Sequence, residues 1–126
     1  MLSGSNRLPV AIAASALLLT MPAATWAADW QTEAGDQRLS KAELTELVSG
    51  KTLEYEGGAK SVLDDADGYE FHVGGEVYPY TYDLTDNGEI CIVSADFGAR
   101  CDLIVVNDGQ VISINDQGER FVATVK

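Results

Sequence analysis

Hydrophobic and polar residues alternate along most of the chain after Gly50. In the segment at 69–73, Tyr, Phe and Val fall on one face of an extended chain and Glu and His on the other, as in a strand with one buried face. Seven or eight short strands are predicted in this way, at 52–55, 61–63, 69–73, 77–82, 89–93, 101–106, 110–114 and 120–125. Pairs such as Asn87-Gly88 separate them and favour tight turns. Because no room is left for crossover helices, we predict a mainly β fold, an antiparallel meander curled into a small barrel or a bent sheet.

One short helix is predicted before the strands. Ser40 and Glu43 have the spacing of a capping box, in which each side chain hydrogen-bonds the backbone N–H of the other residue. Gly50 is placed to end the helix. The apolar residues of this segment share one helical stripe: Leu39, Leu44, Leu47 and Val48. A helix this short is not stable alone, so we expect its stripe to pack on the sheet.

The first residues have the composition of a secretory signal. Arg7 is followed by an apolar run of eleven residues, at 10–20, and then by Pro22. Such a run is too short to cross a membrane, which takes about twenty apolar residues. The small residues Thr25 and Ala27 then stand at the −3 and −1 positions of a cleavage site. We therefore predict cleavage after Ala27, with a retained membrane anchor as the alternative.

This cleavage site divides the chain of 126 residues into three parts. Residues 1–27 are the predicted signal peptide, residues 28–39 are polar and aperiodic and are predicted to be a flexible leader, and residues 40–126 form a single β-rich domain. The predicted location of the mature protein is the periplasm or the extracellular space.

The two cysteines fit that location. In an oxidising compartment Cys91 and Cys101 are expected to form a disulfide. If they face each other on a hairpin, Val93 lies opposite Ala99, and residues 95–97 form the loop. A catalytic dithiol is the alternative, although redox pairs usually have closer spacing. Two thiols and one histidine supply too few ligands for structural zinc, and we expect no metal or cofactor.

The charge of the chain narrows the range of partners. The formal net charge is −12, and it becomes −13 after cleavage, because the removed segment carries Arg7 and no acidic residue. Such a charge repels nucleic acid and anionic membrane surfaces, so we expect neither as a partner.

Several short motifs resemble those of a known group of proteins. They are the segment Leu47-x-x-Gly50-Lys-Thr after the short helix, the segment at 87–91 that ends in Cys91, and a second cysteine before the segment at 102–105. Together they resemble small secreted proteobacterial domains of unknown function, over about residues 44–118. Those relatives usually carry a tryptophan shortly before the first cysteine, where this chain has Tyr80 and Tyr82. The resemblance implies no activity and no site residues.

An acidic turn is the first candidate site. Asp64, Asp65 and Asp67 precede Gly68, as in a calcium loop. An EF-hand alignment fails because its first position would be Leu63 and its twelfth Gly74. A weak calcium site remains an alternative to a solvated acidic turn.

Three tyrosines are the second candidate site. Tyr78, Tyr80 and Tyr82 share one face of a strand and form either part of the core or a groove for an apolar or saccharide ligand. Pro79 cannot donate a ladder hydrogen bond and therefore indicates an edge strand. His72, the single histidine, is predicted to face solvent or this groove.

Three functions follow from these candidates. The first is an exported binding or accessory module of the bacterial envelope, whose partner is a protein or a small apolar or saccharide ligand. The second is a small periplasmic hydrolase that uses His72 with Glu70 or a nearby Asp or Ser, although no serine lies in a nucleophile motif. The third is a structural envelope protein with a protein partner.

Overall fold

The computed structural model describes residues 30–126, so the predicted signal peptide and its cleavage site lie outside the described residues. The described chain contains one helix, α1 (Lys41–Val48), and nine strands. The strands are β1 (Gln37–Arg38), β2 (Thr52–Tyr55), β3 (Lys60–Leu63), β4 (Gly68–Val73), β5 (Glu76–Leu84), β6 (Glu89–Ser94), β7 (Gly98–Asn107), β8 (Gln110–Ile114) and β9 (Arg120–Val125). Within residues 30–126, no helix is long and apolar enough to span a membrane.

Eight of the strands form a closed antiparallel barrel. Each strand from β2 to β9 pairs with its neighbour in sequence, and β9 pairs with β2, with Leu53 opposite Val125. This confirms the predicted β meander and decides between the two predicted forms in favour of the barrel. A barrel of eight strands has an interior that side chains can fill. Closure also gives backbone partners to the two strands that would otherwise form the edges of the sheet.

Helix α1 covers one end of the barrel. It begins with the predicted capping box, in which the Glu43 N–H donates to Ser40 Oγ over 3.1 Å and the Ser40 N–H donates to Glu43 Oε1 over 2.9 Å. Leu44 and Val48 are fully buried. They belong to one cluster with inward-facing residues of the barrel, which include Leu53, Leu63, Leu84 and Ile90. This end of the barrel is therefore filled by an apolar core.

The hairpin of β6 and β7 has the predicted register. Cys91 lies opposite Cys101, and Val93 lies opposite Ala99, and the two cysteines form a disulfide with a Cα–Cα distance of 3.9 Å. Gly98 closes the turn with a φ of 88°, a conformation that glycine adopts without steric cost. The disulfide thus joins two neighbouring strands of the barrel wall.

Residues 30–39, which we call the strap, differ from the flexible leader expected from the sequence. Gln37 and Arg38 pair with Val106 and Val105 of β7 as strand β1. Trp30 packs on an apolar cluster outside the barrel, and its Nε1–H donates to Glu89 Oε2 over 2.8 Å. The cluster consists of Leu103, Val105, Ile112 and Ile114. These contacts could not be predicted from the polar composition of the segment, because isolated residues make them and no periodic apolar stripe marks them.

The strap is also held close to the turn between β5 and β6. A side chain at Gly88 would place its Cβ 2.9 Å from the carbonyl oxygen of Leu39. Only glycine lets the two backbones approach so closely. The turn residue therefore contributes to docking of the strap as well as to the hairpin.

Candidate ligand-binding site at the mouth of the barrel

The two ends of the barrel are built differently. The end opposite α1, which we call the mouth, is formed by the turns at 56–59, 74–75, 95–97 and 115–119. It contains a cavity of about 400 Å³, which is in the range of small-molecule sites. Such sites commonly occur in the mouths of β-barrels.

Aromatic side chains form the apolar walls of this cavity. Tyr55 of β2, Phe71 of β4 and Phe121 of β9 all line it. Tyr55 and Phe121 meet edge to face, with 6.4 Å between the ring centroids. These rings could hold a flat apolar molecule through burial and ring contacts.

A chain of hydroxyl groups lies inside the barrel below the mouth. Ser61 Oγ is 3.1 Å from Tyr55 Oη and 2.7 Å from Tyr69 Oη. Burial raises the pKa of both tyrosines, with Ser61 opposing the shift. The hydroxyls therefore stay protonated, and Ser61 links the two tyrosines.

A carboxylate and a guanidinium lie on the β7 wall of the cavity. The Nε–H of Arg100 donates to Asp102 Oδ2 over 3.2 Å, and the Arg100 guanidinium carbon lies 5.6 Å from the centre of the Phe71 ring, within the range of cation–π attraction. The side chain of Asp102 is only 17% exposed. Its other oxygen, Oδ1, is the one buried side-chain polar atom in residues 30–126 that has no hydrogen-bond partner.

The electrostatics of this pair follow from its burial. Burial raises the pKa of Asp102, and the charge and hydrogen bond of Arg100 offset only part of that effect. Burial acts to lower the pKa of Arg100, but Asp102, Tyr69 and Tyr80 together outweigh it, and the pKa is raised. The carboxylate is therefore under-stabilised in its ionised form, because it accepts a single protein hydrogen bond.

The three predicted tyrosines lie on β5, which is separated from β7 by one strand, β6. Tyr82 is buried in the core, and Tyr80 packs against it half-buried. Tyr80 meets Tyr69 at 5.7 Å and Phe97 of the 95–97 turn at 5.9 Å, and Tyr78 meets Phe97 at 5.1 Å. The tyrosine stripe thus packs within the β5 side of the mouth and does not line the 400 Å³ cavity.

Pro79 occupies the part of β5 that is paired on one side only. It lies opposite Glu70 of β4, whereas pairing with β6 begins at Thr81. The Tyr82 N–H donates towards β4, to the Asp67 carbonyl. Because N–H directions alternate along a strand, the nitrogen of Pro79 faces the unpaired side. The proline therefore marks a local free edge within a strand that is internal to the sheet.

His72 does not join the tyrosines. It lies on the outer face of β4, where its Nε2 is 2.9 Å from Glu70 Oε1. The four residues of the predicted groove are therefore not brought together, and His72 is not among the residues that line the mouth cavity.

The acidic turn lies at the same end of the barrel as α1. Asp64 Oδ1 accepts hydrogen bonds from the backbone N–H groups of Ala66 and Gly68, over 2.9 and 2.8 Å. Asp65 and Asp67 are exposed. This arrangement is that of a turn closed by its own aspartate side chain.

Arg100 and Asp102 are not among the site residues predicted from the sequence. Both faces of β7 are apolar beyond them, with Leu103 and Val105 on one and Ile104 on the other. The signal that could have found the pair is the alternation of Arg100, Asp102 and Ile104, which places two charged residues on the face of a core residue.

No family model, curated protein or solved structure matches this chain. The resemblance to small secreted proteobacterial domains therefore stays a prediction.

Proposed function

We propose that this protein is an exported binding module of the bacterial envelope that holds a small, mainly apolar ligand in the mouth of its barrel. The observation that carries the proposal is the contrast between the two barrel ends. Helix α1 seals one end with Leu44 and Val48, whereas the other end keeps a cavity of about 400 Å³ with aromatic walls and a charged pair.

The charge of the chain supports a small ligand over a nucleic acid. The chain carries 20 acidic and 8 basic residues, and Glu56 and Asp116 line the cavity. A phosphate backbone would be repelled from this end. The aromatic walls offer contact to an uncharged molecule, which does not suffer that repulsion.

Export is supported by the leader sequence and by the disulfide between Cys91 and Cys101, since such bonds persist in oxidising compartments. Intact-mass measurement of the protein from an envelope fraction is expected to give a chain that begins at Ala28, with both cysteines oxidised. A full-length chain retained in the cytoplasm would contradict export.

Binding at the mouth is tested with N-phenylnaphthylamine, an uncharged dye whose fluorescence rises in apolar sites. We expect saturable binding to the mature protein and a Kd at least about fivefold weaker for Phe121→Ala, which removes a wall of the cavity. Val122→Ala is the matched control, because Val122 is 44% exposed and Phe121 43% exposed, but Val122 faces outside the barrel. Equal affinity in the two variants, or no saturable binding, would overturn the proposal.

A further inference from the structure

The unpartnered oxygen of Asp102 indicates which chemical group the ligand presents. Among residues 30–126, Oδ1 is the single buried side-chain polar atom that lacks a hydrogen-bond partner, and Asp102 lines the mouth cavity. Native proteins satisfy most buried polar atoms, and an unsatisfied one costs stability. A ligand in this cavity that carries an N–H or O–H group would supply the missing donor.

The neighbouring hydroxyls do not compete for that oxygen. Tyr55 and Tyr69 both contact Ser61, at 3.1 and 2.7 Å. The Tyr82 hydroxyl donates to the backbone carbonyl of Asp64 over 2.8 Å. None of these contacts involves Asp102 Oδ1, so that oxygen has no partner among residues 30–126.

Arg100 adds a donor beside this acceptor. Within residues 30–126, its guanidinium donates through Nε to Asp102 Oδ2, which leaves the two Nη groups for a ligand. Phe71 lies against the guanidinium, 5.6 Å from its carbon atom, and restricts its position. The pair therefore offers one acceptor and several donors on the same wall.

The charges around the pair disfavour an anionic ligand. Asp102 neutralises Arg100, and the acidic residues Glu56 and Asp116 lie on the cavity lining. A carboxylate ligand would face these acids and the unshared oxygen of Asp102. A cationic ligand would be attracted by Glu56 and Asp116, but it carries no acceptor for the Nη donors of Arg100, which a ligand carbonyl oxygen supplies.

We infer that Asp102 and Arg100 recognise an uncharged N–H/C=O edge, as in a primary carboxamide or a lactam, on a flat apolar ligand. The ligand N–H donates to Asp102 Oδ1, its carbonyl oxygen accepts from an Nη–H of Arg100, and its ring contacts Phe121 and Tyr55. This inference rests on the proposed function, since it requires that the mouth cavity binds a ligand.

Calorimetric titration of the mature protein with three matched probes tests the inference: naphthamide, N,N-dimethylnaphthamide and naphthoate. The dimethyl amide lacks the N–H donor, and naphthoate carries a charge. We expect naphthamide to bind at least about tenfold more tightly than either, because a buried acceptor left unpaired weakens binding by about this much. In Asp102→Asn, the preference for naphthamide over its dimethyl analogue is expected to fall below about threefold.

The outcomes separate this inference from the proposed function. If the two amides bind the wild-type protein equally, or naphthoate binds best, the carboxamide assignment is wrong, although binding at the mouth stands. If no naphthyl probe binds while N-phenylnaphthylamine still does, the assignment is also wrong. If Phe121→Ala changes binding of no probe, the mouth is not the site and both proposals fail. The comparison among probes uses the wild-type protein, so it does not depend on how Asp102→Asn folds.

Discussion

Two carboxylate–guanidinium pairs of this protein have opposite environments. Asp36 in the strap accepts two hydrogen bonds from Arg120 of β9, both at 2.9 Å, and one each from Asn107 Nδ2 and the Glu33 N–H, both at 2.7 Å. Asp102 in the mouth accepts a single hydrogen bond, from Arg100. Both carboxylates are largely shielded from water, with side chains 1% and 17% exposed.

The difference in hydrogen bonding shifts the pKa values of the two carboxylates in opposite directions. The hydrogen bonds from Arg120 hold the pKa of Asp36 well below its ordinary value, in spite of burial. For Asp102 burial dominates, and its pKa is raised. A saturated pair stabilises the fold, whereas an unsaturated pair keeps binding capacity at a cost in stability. The strap pair therefore serves the fold, and on the proposed function the mouth pair serves binding.

The largest expected effect is the loss of the strap pair. Asp36→Asn leaves Arg120 with only the exposed Glu33 as an ionised partner, and we expect the free energy of unfolding to fall by about 3 kcal/mol, as when a buried pair is broken. Urea unfolding followed by circular dichroism measures it. Glu33→Gln is the control, because Glu33 also pairs with Arg120, at 3.4 Å, but is 65% exposed. It should change stability by less than about 0.5 kcal/mol. Equal effects of the two substitutions would contradict the assignment.

The packing of Trp30 should contribute somewhat less to the free energy of unfolding than the strap pair does. Trp30→Ala removes a half-buried aromatic from the cluster that includes Leu103 and Ile114, and we expect a loss of about 2 kcal/mol, below the range for fully buried aromatics. Trp30→Phe keeps the ring but loses the hydrogen bond to Glu89, which should cost about 1 kcal/mol. If Trp30→Ala were as stable as the parent, the strap would not be part of the folded domain.

The fall of stability in acid tests the directions of these two pKa shifts. The pKa of Asp36 is lowered from an ordinary value of 3.8, so its contribution is present above that value and is lost as the pH falls below it. The pKa of Asp102 is raised, so protonation in acid relieves the cost of burying its charge. Between pH 6 and pH 3, stability should fall less steeply in Asp36→Asn than in the wild type, and more steeply in Asp102→Asn. Urea midpoints across this range measure both slopes, and parallel slopes in all three proteins would refute the contrast.

The smallest expected effect is that of the mouth pair on stability at neutral pH. Asp102→Asn removes a buried charge that has one partner, and the released Arg100 is exposed enough to be hydrated. We expect a change within about 1 kcal/mol, in the direction of greater stability. Thermal or urea unfolding at pH 7 measures it. A loss as large as that of Asp36→Asn would make the mouth pair a structural one.

Local chemistry explains the elements that could be predicted from the sequence. The capping box of Ser40 and Glu43 defines the start of α1, and a turn of fixed length places Cys91 opposite Cys101. In both cases the interacting groups are separated by ten residues or fewer, so short-range geometry and one covalent bond determine the outcome. The alternation of apolar residues likewise located each strand of the barrel.

Contacts between distant parts of the chain decided the rest. Closure of β2 on β9 joins segments about seventy residues apart, and the strap reaches Arg120 across 84 residues. On β7 both faces are apolar, so the period-two pattern could not tell which faces the interior; the strap decides this by covering Leu103 and Val105. Asp102 lies beside the cavity only because its face of β7 points into the barrel. Its burial and hydrogen bonding are properties of the assembled barrel and not of any single strand.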